Sequence, residues 1–156
     1  MTQTQEQSKK QADQRGLAGQ VIGDTSVCLV NQTQLIYRGY EIADLAENAT
    51  FEEVSYLLLV GNKPTSSELT TFKEEIIGMR AIPESVKDAI IHIAQNSPET
   101  HPMSVVRTAI SLLSHLCPTC EDNSAEADLK KSMYLLAQIP TCIGVHQMAL
   151  DGKTPV

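Results

Sequence analysis

The sequence predicts a mainly α domain, a multi-helix array fronted by a small β-hairpin. Three observations carry that expectation. Apolar residues recur at helical spacing from about residue 41 onward. Two Thr-x-x-Glu signatures, "TFEE" and "TSSE", stand where helical runs begin. Two short β-prone runs flank a polar "NQT" ahead of them.

Residues 1–15 are polar and nearly free of large apolar groups, so they cannot offset the entropy of being ordered and read as a flexible lead-in. From Gly16 the composition shifts to Val, Ile, Leu and Gly, and residues 16–156 form the folded part. Ser26–Val30 and Leu35–Tyr37 are the expected hairpin strands. Glu41–Glu47 then places Ile42, Leu45 and Ala46 on one helical side. Thr50 and Glu53 form a capping box before a helix whose buried stripe is Val54, Leu57 and Leu58, stopped by Gly61 and Pro64. Thr65 and Glu68 repeat the signature before Leu69, Phe72, Ile76 and Met79. After Pro83, a helix carries Val86, Ala89, Ile90 and Ile93 on one face. Pro102 suits the first turn of the next, which buries Val106, Ala109, Ile110 and Leu113. A last helical run from about Ala125 contains Leu129, Met133, Leu136 and Ala137; Pro140 is expected to interrupt it before helix resumes over Ile143–Leu150.

The charge balance bounds the partners. Twelve basic against nineteen acidic residues leave a formal charge of -7, which argues against nucleic acid. No apolar run approaches the roughly 20 residues that span a bilayer, and the N-terminus lacks the basic and apolar regions of a secretory signal. No membrane partner and a cytoplasmic address are therefore expected. Cys28, Cys117, Cys120 and Cys142 are too few and too irregular for a disulfide scaffold and are expected to be reduced.

The sharpest local motif is "HLCPTC", with His115, Cys117 and Cys120 close together. A structural zinc needs four ligands, and Cys142 and His146 complete the set only by folding back. A redox pair needs cationic neighbours or a helix N-terminus, whereas this one follows a helix and precedes Glu121 and Asp122. Incidental helix-end cysteines are the favoured reading. His101 precedes Pro102 at a helix start and reads as a cap. His92 and His146 read as surface or boundary residues. No serine sits in a G-x-S-x-G turn, and the glycines of "GLAGQVIG" do not open a helix directly after a strand as a dinucleotide site requires.

The ordered set "GLAGQVIGDTSVCLV", "YRGYEIADLAE", "FEEVSYLLLVGNKPTSSEL", "HPMSVVRTAISLLS" and "LLAQIPTCIG" resembles the N-terminal part of citrate synthases and their relatives, the 2-methylcitrate synthases. The stretch "GDTSVCLV" leans toward the 2-methylcitrate members. The resemblance implies part of the large helical domain, with the small domain absent, and an enzyme that condenses acetyl-CoA or propionyl-CoA with oxaloacetate. It implies acyl-CoA as co-substrate with no permanently bound cofactor, and a homodimer or a missing C-terminal half as partner. The family's catalytic histidines and aspartate belong to segments with no counterpart here, so no catalytic, cofactor-binding or metal-binding residue is carried over. Arg38 matches a family position, and its simpler role is to hold the hairpin against the first helices. The chain alone is expected to be inactive; the alternative is a non-catalytic helical binding or scaffold module that pairs with a separate C-terminal half.

Overall fold

The computed structural model describes residues 23–31 and 33–155. The lead-in expected over 1–15 and the glycine-containing stretch from 16 to 22 lie outside the described residues. The chain divides into two compact units, Met1–Ile42 and Ala43–Val156.

In the first unit, β1 (Cys28–Val30), β2 (Leu35–Tyr37) and β3 (Tyr40–Glu41) form an antiparallel sheet in the order β1-β2-β3. The expected hairpin is present, though β1 begins at Cys28 rather than Ser26. The β1–β2 connection is built on Asn31, whose Oδ1 accepts from the backbone amides of Thr33 and Gln34 at 3.0 and 2.8 Å. The third strand goes beyond the expected hairpin, and "YRGY" makes it. Tyr37 pairs with Tyr40, so Arg38 and Gly39 are the whole loop. Both have positive φ, 48° and 91°, the mirror-image turn that matches the twist of two strands joined by two residues.

α1 (Ile42–Asn48) buries Leu45, while Ala46, expected on the inner side, is exposed. Seven residues make two turns, and one inward position is what so short a helix offers. In the second unit, α2 (Phe51–Val60) opens with a complete capping box: Thr50 N donates to Glu53 Oε2 at 2.7 Å, and Glu53 N donates to Thr50 Oγ1 at 3.3 Å. It ends where Gly61 takes the left-handed conformation at φ 106° and donates to the Leu57 carbonyl. Leu57 is fully buried, with Val54 and Leu58 half-buried beside it. α3 (Ser66–Gly78) repeats the box at Thr65 and Glu68. Its buried pair is Phe72 and Ile76, with Leu69 and Met79 half-buried, and Phe72 meets Tyr56 of α2 edge to face at 5.4 Å.

α4 (Glu84–Asn96) buries Val86, Ile90 and Ala94 at a four-residue spacing. Ala89 and Ile93, expected on that stripe, are half-buried flanks. α5 (Pro102–His115) buries Val105, Val106, Ala109 and Leu113, and leaves Ile110 half-buried.

α6 (Ala125–Leu150) corrects the expected break: the helix runs through Pro140 without interruption. Two cores explain its persistence. Met133 and Ala137, before the proline, pack with Phe72 and Ile76. Cys142 and Val145, after it, pack with Val86, Ile90, Val105 and Ala109. Each half is tied down by its own cluster, and together they outweigh the roughly 3 kcal/mol that an interior proline costs. Of the apolar residues expected in this run, Met133 and Ala137 are buried and Leu129 is 37% exposed.

Candidate functional site

A cleft in the second unit lies where the start of α2, the end of α3 and the middle of α6 meet. Its volume is about 400 Å³. Ile76, Leu136 and Ala137 give it apolar walls, and Glu52 and Arg80 supply the charge. Leu136 and Pro140 both line the cleft, and Pro140, lacking an N–H, cannot be the usual helical donor to the Leu136 carbonyl. An acid and a guanidinium beside an apolar wall can hold a polar group. They do not make an acid–base pair, because no histidine or cysteine lines the cleft. A second cleft of about 310 Å³ is lined by Tyr56, Glu68, Phe72, Leu129 and Met133 among others. Tyr56 there has its hydroxyl pKa raised, first by desolvation and then by the Glu68 carboxylate.

The residues singled out from the sequence are dispersed. His101 is the cap of α5: its Nδ1 accepts from the Met103 amide at 3.2 Å. His92 is exposed on α4, its Nδ1 3.3 Å from Asn96 Nδ2. His146 is a correction, because it is 5% exposed rather than a surface or boundary residue, and its Nε2 has no hydrogen-bond partner among the described residues. Cys142 is core, and burial pushes its thiol pKa up. Arg38 ties parts of the sheet unit together: its Nη1 donates to Ser26 Oγ at 2.8 Å and its amide to the Val27 carbonyl at 2.9 Å. Those bonds fix β1 against the β2–β3 turn.

His115 ends α5, exposed, and Cys117 and Cys120 follow it half-exposed. No group of three His, Cys, Asp or Glu among the described residues is placed to hold a metal. The acidic setting expected from Glu121 and Asp122 is joined by cations from α6. The Cys117 thiol is held below its ordinary value, first by the hydrogen bond from Thr119 and further by Lys131 and Lys130. The lysines come from the opening turns of α6, and Asp122 is engaged by the Ser124 amide at 2.8 Å. Sequence reading missed them because they lie more than ten residues away along the chain, and no local spacing signals them. Glu52 and Arg80 of the first cleft were missed for the same reason.

The family model described as "Citrate synthase, C-terminal domain" matches residues 16–156. A 2-methylcitrate synthase of Shewanella oneidensis is 45% identical over 103 residues, covering 65% of this chain and 27% of that protein. Citrate synthase 2 of Bacillus subtilis is 37% identical over 143 residues, covering 91% of this chain and 38% of that protein. The solved citrate synthase of Pyrobaculum aerophilum superposes with a TM-score of 0.77 at 27% identity, over 89% of this chain and 37% of that one. The chain thus spans between about a quarter and two fifths of the length of these relatives.

Proposed function

The chain belongs to the citrate synthase family, and from that premise we propose that it is framework for an acyltransferase that condenses an acyl-CoA with oxaloacetate. The carrying observation is the family match over residues 16–156, which contains every described helix. Relatives named for citrate and for 2-methylcitrate both align with it, so the acyl donor is acetyl-CoA or propionyl-CoA. Joining the two carbons needs a base at the acyl carbon and an acid at the oxaloacetate carbonyl. Neither of the two clefts described is lined by a histidine, and among the described residues His101 is committed to a helix cap and His146 to the interior. These residues therefore build and hold the large helical domain, and the acid–base groups come from elsewhere in the enzyme.

The test is direct. The purified 156-residue chain, mixed with oxaloacetate and either acyl-CoA, is expected to release no free CoA thiol; measurable turnover would overturn the framework assignment. The partner in this reading is a second copy or the remainder of the enzyme. Exposed Met103, Ile143 and Leu150 suit such a contact. Concentration-dependent sedimentation of the chain supports that partner, and a monomer indifferent to concentration and to added full-length enzyme argues against it.

A further inference from the structure

The turn after α5 carries two cysteines that neither the fold nor the proposed activity uses. The Cys120 amide donates to the Cys117 carbonyl at 3.2 Å, closing a β-turn. The ends of such a turn lie within about 7 Å between Cα atoms, which overlaps the roughly 4.4–6.8 Å that a disulfide bridges. Both thiols are free and half-exposed. Lys131 spans the turn from α6, its Nζ donating to the Asp122 carbonyl at 2.6 Å and reaching the Cys120 carbonyl at 3.5 Å. Asp128 steadies the same ammonium at 2.8 Å. The Cys117 Sγ lies 3.6 Å from Thr119 Oγ1. The fold thus supplies the cationic surroundings and the hydroxyl that a reactive thiolate needs.

We propose that Cys117 and Cys120 form a reversible dithiol site that exchanges with low-molecular-weight disulfides, Cys117 attacking and Cys120 resolving. The Cys117 thiolate attacks one sulfur of a disulfide such as oxidised glutathione, and the first glutathione leaves as a thiolate that takes up a proton. Cys120 then gives up its proton and attacks the Cys117 sulfur, expelling the second glutathione. The protein loses two electrons and two protons, and one glutathione disulfide becomes two thiols. A bridge closing so short a loop removes little chain entropy, so it is suited to exchange rather than to stapling the fold.

The experiment treats the full chain with oxidised glutathione and follows intact mass and disulfide-mapped peptides. The expected product is a Cys117–Cys120 bridge that dithiothreitol reverses. Cys120→Ser should trap one glutathionyl group on Cys117, and Cys117→Ser should react at Cys120 roughly tenfold more slowly, because Cys117 is the attacking sulfur. Bridge formation in native buffer should exceed that in urea by at least about threefold, because unfolding disperses Lys130 and Lys131. Glutathionyl adducts without the bridge would overturn the proposal. So would equal native and unfolded rates, a comparison that needs no variant to fold.

Discussion

Thr50 shows how much one hydroxyl settles. It accepts from the Glu53 amide while Glu53 returns to the Thr50 amide, so two orphan donors of the α2 terminus are satisfied at once. Thr50→Ala should cost about 1 kcal/mol, read as a lower urea midpoint, and Thr65→Ala the same at α3. The Glu53 carboxyl is held below its ordinary value of 4.5, first by the Thr50 backbone amide and then by its hydroxyl. A folded value below the unfolded one means the stabilisation is fully present above about pH 4.5 and is lost as pH falls through the lower folded value. The melting-temperature gap between wild type and Thr50→Ala should therefore be wide near pH 7 and narrow near pH 3. An unchanged gap would show that the bond between the Thr50 hydroxyl and the Glu53 carboxylate contributes nothing. Both capping boxes were legible in the sequence, because the partners lie three residues apart and the chemistry is local. His146 was not, because burial is decided by which neighbours arrive. Its unpartnered Nε2 makes a second prediction. His146→Leu should raise the urea midpoint, by about 1–2 kcal/mol in stability, since an apolar replacement removes an unsatisfied buried group.

Among the elements, α6 departs furthest from expectation. Pro140 has no N–H for the usual bond to Leu136 and so predicts a break, yet Ala125–Leu150 is one helix. The local rule was right about cost and wrong about outcome: Phe72 and Ile76 hold one half, Val86 and Ile90 the other, and all four lie more than forty residues away in sequence. Pro140→Ala should restore the missing bond and stabilise the chain by about 1–3 kcal/mol, measured by urea unfolding. No gain would mean that the ring's packing in the cleft offsets the bond it removes. The β2–β3 turn teaches the opposite lesson. Gly39 in "YRGY" readily takes a positive φ, but nothing in an arginine signals φ 48° at Arg38, and a two-residue β3 is too short for periodicity to reveal. α4 lies between these cases. Its helix was legible, and the exact stripe, Val86–Ile90–Ala94 in place of Ala89 and Ile93, depended on where α5 and α6 pack.

At the scale of the whole molecule, the two units differ in what can hold them. The sheet consists of strands of three, three and two residues, with Leu29 and Val30 exposed at 55% and 69%. Eight strand residues, none of them buried, are at the margin of independent stability. The second unit has α4, α5 and α6 closed around a shared cluster in which Val86, Ile90 and Ala109 are each about 1% exposed. Local opening costs least where buried apolar contact is scarce and approaches the global unfolding free energy where it is dense. Native-state hydrogen exchange should accordingly sort the amides into two classes. Those of β1–β3 should exchange fast, through openings insensitive to low urea. Those of α4 and of α6 on both sides of Pro140 should exchange slowest, and together, with a urea dependence matching global unfolding. Ile90→Ala, expected to cost about 2–5 kcal/mol, should accelerate the slow class and leave the sheet amides unchanged. Sheet amides that slowed to the rate of α4, or that accelerated with Ile90→Ala, would show that the two units unfold as one.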